Sequence, residues 1–264
     1  MDTTRHPSAL LCESNVVFED DDIVVLNKPA GLLVLPDRYD PTIPNLLNLL
    51  KKKHGQIYVV HRIDKETSGL ILFAKTADSH RSIGAQFEGR VTEKTYLAIC
   101  VGEAQREQGV IELPLSEEGG KMGRMRVDRS RGKNAVTHYR VLEGFEGFSF
   151  VEAKPETGRT HQIRVHLKAL DLPILGDSVY GGHSFYLSQI KPGYRHKGEE
   201  KPLLNRTALH ATRLSILHPR TNQPVSFEAR LPKDMTIVLN YLRKFKGTQR
   251  ELQIQTRLRG IELP

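Results

Sequence analysis

The segment best suited to chemistry is the run from His61 to Gly69, with the sequence HRIDKETSG. It directly precedes the apolar run Leu70–Ala74, which is typical of a strand buried on both faces. A carboxylate at Asp64 would therefore lie on a loop held by a rigid strand, where functional side chains are often found. The neighbouring cations favour its ionised form. On local chemistry alone, however, such a pattern is more often a capped turn with a solvated aspartate.

A second segment, residues 157–166, places cations near a predicted helix start. Thr160 can cap a helix that runs to about Leu170 and ends before Leu172-Pro173. An arginine in the first turn, Arg164, is unfavourable for the helix dipole, which indicates a carboxylate or phosphate partner. A solvated basic face is the alternative.

Composition narrows the class of protein. The chain has 264 residues and a net charge of +8, which favours polyanionic partners, although many basic proteins bind no nucleic acid. Its two cysteines, Cys12 and Cys100, are too few for a disulfide framework. No apolar run approaches the ~18 residues of a membrane span, and residues 1–13 lack the apolar centre of a signal peptide. These features predict a cytoplasmic protein.

The hydrophobic pattern predicts an α+β fold around a large mixed or antiparallel sheet. The predicted strands are 16–27 as a hairpin, 70–74, 96–101, 135–142 and 148–153 with a turn at 143–147, and the predicted helices are 45–53 and 78–87. Residues 191–204 read as a surface loop. We expect flexible tails at 1–13 and 248–264, and one catalytic domain over 14–247.

Several motifs, in this order, resemble the RluA-type pseudouridine synthases over about Val16 to Leu231. The motifs are NKPAG at 27–31, HRIDKETSG at 61–69 with LILFAK at 70–75, KTYLA at 94–98, GRTHQIRVH at 158–166, ILGD at 174–177 with Tyr180-Gly181, LHA at 209–211, and His218-Pro219. A single motif would be weak evidence, whereas the ordered set is specific. The sequence departs from the usual pattern at Ile63, where leucine is common, and this conservative change puts nothing in doubt.

The resemblance implies the pseudouridine synthase catalytic fold, with its sheet split into two subdomains, flanking helices and loops, and an active-site cleft across the sheet. It implies isomerisation of uridine in structured ribosomal or transfer RNA after the base is flipped out, with no cofactor and no metal. A monomer is our expectation. Only about fifteen residues precede the first strand, so we expect no separate N-terminal RNA-binding domain.

The resemblance also assigns roles to individual residues. Asp64 becomes the essential carboxylate, acting as nucleophile or base, and Arg164 its ion-pair partner. Tyr96 becomes the aromatic that stacks on the target base, with a hydroxyl that can take part in proton removal from ring carbon five. Arg62 fills the space of the flipped nucleotide, and Ile163 packs beside the uracil. Without the motifs, Tyr96 would read as a strand tyrosine, Arg62 as a phosphate-facing or solvent-facing residue, and Ile163 as helix core.

Further substrate contacts are expected from a wider set of mainly basic residues: His61, Thr67, Arg159, His161, Arg124, Arg126 and Lys133. The last three lie in a basic stretch, residues 121–133, in which Asp128 is the one opposing charge. Charge runs are usually solvated faces, but here we expect phosphate contact.

Three alternatives concern the kind of protein and site. A non-catalytic RNA-binding protein on the same scaffold is disfavoured by the retained Asp64, Tyr96 and Arg164. A glycoside hydrolase needs two carboxylates across the scissile bond, and Glu66 is too close in sequence to serve. The histidines at 61, 161 and 166 lack the spacing of a metal site.

Overall fold

A computed structural model describes residues 15–120 and 123–247. The tails expected at 1–13 and 248–264, and positions 121 and 122 of the basic stretch, lie outside the described residues. The described chain forms two compact units, as expected for a fold with two subdomains. The first unit holds residues 15–96 and 209–231, and the second holds 97–208 and 232–247 apart from the undescribed pair.

Strands outnumber helices along the described chain. The strands are β1 (Val16–Glu19), β2 (Ile23–Lys28), β3 (Tyr58–Val59), β4 (Ser68–Ala74), β5 (Glu93–Val101), β6 (Gln108–Glu112), β7 (Leu115–Glu117), β8 (Met125–Val127), β9 (Val136–Phe145), β10 (Phe148–Pro155), β11 (Leu209–Leu217) and β12 (Pro224–Glu228). The helices are α1 (Leu46–His54), α2 (Ala77–Glu88), α3 (Gln162–Lys168) and α4 (Lys233–Phe245).

In the first unit a mixed sheet surrounds β4. This strand pairs antiparallel with β2 and β3 and parallel with β11, which in turn pairs antiparallel with β12. Every residue of β4 is buried, which confirms the prediction made from its continuous apolar run. The predicted hairpin is β1–β2, and the predicted helix at 45–53 is α1, capped by the Asn45 side chain.

In the second unit the strand order is β5-β10-β9-β6, and β7 pairs with β8 in a separate small hairpin. The β9–β10 and β6–β9 pairs are antiparallel. β9 runs to Phe145, three residues further than predicted, so the turn to β10 is tighter than the predicted 143–147. Within residues 15–120 and 123–247, no helix is both long and apolar enough to cross a bilayer.

Helix α3 corrects one prediction. It covers Gln162–Lys168 and stops short of Leu170, and the residue at its N-terminal boundary is His161, not Thr160. His161 has φ 54°, a left-handed backbone that few non-glycine residues adopt, and its side chain makes no capping bond. Gln162 to Leu167 are all buried. The helix therefore lies in the interior of its unit, where tertiary contacts rather than a local cap fix its start.

Candidate active site

The loop that carries Asp64 is closed by its own backbone and leads into β4. The Thr67 amide donates to the Asp64 carbonyl at 3.2 Å, and β4 begins at the next residue. Gly69 has φ 110°, and a Cβ there would overlap the backbone oxygen of Ala211 in β11. The end of the loop is therefore tied to β11, whose backbone leaves no room for a side chain at Gly69. The side chain of Asp64 is half-buried.

A buried lysine supports the same loop. Lys28 is 0% exposed, and its ammonium donates to the carbonyls of Pro29 and Leu32 at 2.9 Å and of Lys65 at 3.0 Å. The Gly31 amide also donates to the Lys65 carbonyl, at 2.9 Å. A buried ammonium is tolerated when its protons are satisfied. The Lys65 carbonyl, one residue after Asp64, thus accepts hydrogen bonds from both the Lys28 ammonium and the Gly31 amide, a role that the sequence does not predict for Lys28.

Tyr96 and Asp64 belong to the same unit and interact electrostatically. Tyr96 lies on β5 and packs half-buried against the core cluster that contains Ile63. Burial, and then the negative charge of Asp64, raise the pKa of the Tyr96 hydroxyl well above its ordinary value. The phenol therefore stays protonated, as an aromatic hydrogen-bond donor within electrostatic reach of the carboxylate.

The contacts of His61 that the structure describes are all with other residues of the protein. Its Nε2 accepts a hydrogen bond from the Leu72 amide at 3.0 Å, and its ring stacks on Phe87 with centroids 4.7 Å apart. Burial, and then the charge of Lys94, lower the pKa of His61 to about 3, so the imidazole is neutral at physiological pH. A substrate contact by this residue stays a prediction and would have to use Nδ1.

The other predicted contacts from this loop differ in exposure. Arg62 is exposed, as a side chain that enters RNA must be. Thr67 is 2% exposed, and its backbone amide closes the turn by donating to the Asp64 carbonyl.

In the second unit, Arg164 is held by a carboxylate. Its Nε and Nη2 donate to Oδ2 and Oδ1 of Asp177 at 2.7 and 2.8 Å, in the parallel two-bond geometry of strong arginine–carboxylate pairs. Both side chains are buried. The prediction that an arginine at this helix position needs an anionic partner is confirmed. Pairing of Arg164 with Asp64 stays a prediction.

Asp177 joins the candidate site as the partner of Arg164, a role that the sequence does not predict. The one available signal was its place in the ILGD motif, to which no role was attached. Its Oδ1 also accepts hydrogen bonds from the amides of Val179 and Tyr180 at 3.2 and 3.3 Å. These bonds hold the carboxylate in the position from which it orients Arg164.

Tyr180 connects Arg164 to the β7–β8 hairpin. The guanidinium carbon of Arg164 lies 4.9 Å from the centroid of the Tyr180 ring, within reach of a cation–π attraction. The Tyr180 hydroxyl accepts the Met125 amide of β8 and bonds to Nδ1 of His161, both at 2.8 Å. His161, predicted to contact substrate, therefore directs Nδ1 to a tyrosine of its own unit.

A chain of buried polar groups holds α3 to the sheet. Gln162 accepts from the Thr157 hydroxyl at 2.7 Å and donates to the Thr137 hydroxyl at 3.0 Å. His166 bonds Thr137 through Nδ1 and the Leu113 carbonyl through Nε2, each at 2.9 Å. Since a carbonyl only accepts, Nε2 carries the proton. The network is satisfied at each of these atoms, so it fixes the helix that presents Arg164.

The basic stretch is more balanced than its sequence indicated. Nε of Arg124 lies 2.8 Å from a Glu118 carboxylate oxygen, and Nη2 of Arg126 lies 3.5 Å from Asp128. Asp128 is the one acidic residue within 121–133, and the β7–β8 hairpin adds Glu118, from outside that stretch, beside Arg124. Phosphate contact by these cations stays a prediction. Lys133 is exposed, and its backbone amide and carbonyl exchange hydrogen bonds with those of Leu115 in β7.

Of the remaining predicted contacts, Arg159 precedes α3 and Ile163 lies within it. Arg159 is exposed and donates from Nε to the Asn134 carbonyl at 3.2 Å. Ile163 is 6% exposed, so its buried position suits helix core. Contact between Ile163 and the uracil stays a prediction.

One group of potential metal ligands occurs within the described ranges: Asp20, Asp22 and His218. Their atoms already bind other protein groups. His218 Nε2 lies 2.7 Å from Asp20, and Arg220 Nε lies 2.6 Å from Asp22. The group therefore reads as an ion-pair cluster that joins β11–β12 to the β1–β2 turn.

Known proteins resemble this chain in both sequence and fold. The RNA pseudouridylate synthase family model matches residues 22–169. Ribosomal large subunit pseudouridine synthase D of Neisseria meningitidis serogroup A is 40% identical over 243 residues, which are 90% of this chain and 63% of that protein. Its namesake from Zymomonas mobilis is 38% identical over 237 residues, 86% of this chain and 72% of that one. The solved structure of human RNA pseudouridylate synthase domain containing 4 has a TM-score of 0.67 at 30% identity and covers 90% of this chain and 95% of that chain.

The chain therefore belongs to the RNA pseudouridylate synthase family, a class of isomerases that convert uridine in RNA to pseudouridine. The family, the enzyme class and the fold expected from the sequence are confirmed. The chain spans 63% of the Neisseria relative's length and 72% of the Zymomonas relative's length.

Proposed function

We propose that this protein isomerises uridine to pseudouridine in large-subunit ribosomal RNA, with Asp64 as the essential carboxylate. The observation that carries the proposal is the interaction of Asp64 with Tyr96 on a loop supported by Lys28 and β4. A carboxylate within electrostatic reach of a protonated phenol supplies an anion and an aromatic hydrogen-bond donor in one unit of the fold. The two bacterial relatives are named for the ribosomal large subunit, which supports this choice of RNA.

The reaction has three stages that these groups can serve. The bond between ribose and N1 of uracil breaks, the base turns, and ring carbon five bonds to the ribose while its proton leaves. Asp64 acts either at the sugar as nucleophile or as the base that removes a sugar proton. Tyr96 stacks on the freed uracil and keeps it from diffusing away.

Arginines complete the proposed site. Arg164, oriented by Asp177, is proposed to hold the Asp64 carboxylate ionised. Arg62, which is exposed, is proposed to occupy the space left when the uridine leaves its stack. A planar guanidinium suits that place, because it can stack on bases and pair with phosphate.

The proposal includes no metal and no cofactor, since the isomerisation is redox-neutral. We also propose that the enzyme is a monomer and that it acts in the cytoplasm, where its RNA substrate is available.

Mapping of pseudouridine across total RNA from cells with and without the gene tests the proposal. We expect a pseudouridine in large-subunit ribosomal RNA to disappear in the deletion and to return with the wild-type gene but not with Asp64→Asn. Loss confined to transfer RNA would overturn the choice of substrate, and an unchanged map would overturn the function.

A further inference from the structure

Lys94 lies at one end of a stack that reaches the Asp64 loop. Its ammonium is 5.9 Å from the ring centroid of Phe87, and the Phe87 ring in turn lies 4.7 Å from that of His61 with an interplanar angle of 18°. His61 is tied to β4 through the Leu72 amide. The position of Lys94 is therefore fixed relative to the loop that carries Arg62 and Asp64.

Lys94 and Arg90 are two neighbouring cations with no carboxylate partner in the described part of the fold. Within residues 15–120 and 123–247, neither has a carboxylate oxygen within 4.0 Å, whereas Lys75 and Arg81 of the same unit each pair with an acid. Burial, and then the charge of Arg90, lower the pKa of Lys94. His61, the neighbouring titratable group, is neutral and adds no charge.

Such a pair is unfavourable until an anion arrives. A partly desolvated ammonium beside a guanidinium loses hydration without gaining a Coulomb partner. Arg90 also adopts a left-handed backbone, with φ 57°, immediately after α2, at a position where glycine is usual. A bound phosphate would relieve the repulsion and give both cations charge-assisted hydrogen bonds.

We propose that Lys94 and Arg90 form a subsite for a backbone phosphate of the RNA next to the target uridine. This rests on the proposed function, since it assumes an RNA at Asp64. The subsite would anchor the strand beside the nucleotide that flips, while Arg62, on the same loop as His61, enters the vacated place. Phosphate contacts of this kind fix the register of the RNA and carry no sequence information.

The salt dependence of RNA binding tests the subsite. Affinity for an unmodified large-subunit ribosomal RNA transcript is measured by filter binding over a range of potassium chloride concentrations, for wild type, Lys94→Met, Arg90→Met and the double variant. Each lost phosphate contact lowers the slope of log affinity against log salt by about 0.7 to 0.9. We expect the slope of the double variant to be smaller than that of the wild type by about 1. Its affinity at low salt should be roughly tenfold lower.

Two further variants decide the meaning of a change. Arg81→Met removes an exposed cation of the same unit that already pairs with Asp78, and we expect the wild-type slope. Lys94→Arg keeps the charge, and we expect it to retain the wild-type slope. Circular dichroism establishes that each variant is folded.

An unchanged slope in the double variant overturns the subsite, and so does an equal loss in Arg81→Met. Pseudouridine formation by the wild-type enzyme on the same transcript distinguishes a failure of the subsite from a failure of the proposed function. Product with an unchanged slope refutes the subsite alone, whereas absence of product refutes the proposed function.

Discussion

Asp177 and Arg164 form a two-bond ion pair, 2.7 and 2.8 Å long, with both side chains almost fully withdrawn from solvent. The pair joins the ILGD motif to α3 within the second unit. Breaking a buried pair on one side is more damaging than its net contribution suggests, because the remaining charge loses its compensation.

Asp177→Asn removes the charge and keeps the shape. We expect the free energy of unfolding to fall by about 3 kcal/mol and the rate of pseudouridine formation to fall about 100-fold, since Arg164 loses its orientation. Urea denaturation and single-turnover assays measure the two effects.

A matched control is available in the same unit. Asp234 binds Arg206 through two bonds of 2.7 and 2.9 Å in the same geometry. Asp234→Asn should destabilise the protein while the folded enzyme keeps its rate. Equal loss of rate in both variants would mean that Asp177 acts only through stability.

Tyr180→Phe tests the link between Arg164 and the hairpin. The ring stays under the guanidinium, but His161 and the Met125 amide lose the hydroxyl. We expect a loss of about 1–3 kcal/mol in the free energy of unfolding and faster hydrogen exchange at the Met125 amide.

Tyr139→Phe is the comparison, because the Tyr139 hydroxyl has no hydrogen-bond partner within the described part of the protein. If both variants leave exchange at Met125 unchanged, the hydroxyl does not hold the hairpin.

Local patterns were sufficient for some elements. The run Leu70–Ala74 predicts a strand covered on both faces, and β4 is one, because apolar residues without alternation have no solvent side. The Asp20–Asp22 turn between two apolar runs predicts the β1–β2 hairpin. The proposed site residues Asp64 and Tyr96 are predicted because the family motifs contain them, not because local physics distinguishes them.

Other features depend on contacts between distant residues. Thr160 is a suitable cap by composition, yet α3 begins after His161, since Gln162 and His166 are fixed by residues 137 and 113. The full burial of the Lys28 ammonium depends in part on a distant residue, because one of its three acceptors is the carbonyl of Lys65. The Arg124–Glu118 pair likewise depends on the β7–β8 register.

The stability of the protein should depend on pH through His61. Its pKa falls from 6.5 to about 3 in the folded protein, so between these values the unfolded chain binds a proton that the folded chain does not. Stability therefore decreases as the pH falls through this window.

His61→Gln keeps an acceptor for the Leu72 amide and does not titrate. We expect the urea midpoint of the wild type to fall more steeply with acid than that of the variant, and parallel curves would contradict the assignment.

Gly69→Ala tests the rigidity of the strand behind Asp64. A Cβ at this position would overlap the backbone oxygen of Ala211 and lie 2.6 Å from its nitrogen, so we expect severe loss of soluble, folded protein. Gly84→Ala is the control: nothing lies within 4 Å of a Cβ there, and alanine should stabilise α2 by about 0.5–1 kcal/mol. A folded Gly69→Ala with wild-type melting would mean that β4 and β11 can separate.

The central claim is that the ionised side chain of Asp64 performs the chemistry. Purified wild type and Asp64→Asn are incubated with the large-subunit ribosomal RNA transcript, and pseudouridine and RNA affinity are both measured. We predict no product from Asp64→Asn, together with an affinity within about threefold of wild type, since the amide is nearly isosteric and lacks the negative charge required for nucleophilic or base catalysis. Product formed by Asp64→Asn at a rate near that of the wild type would contradict the account.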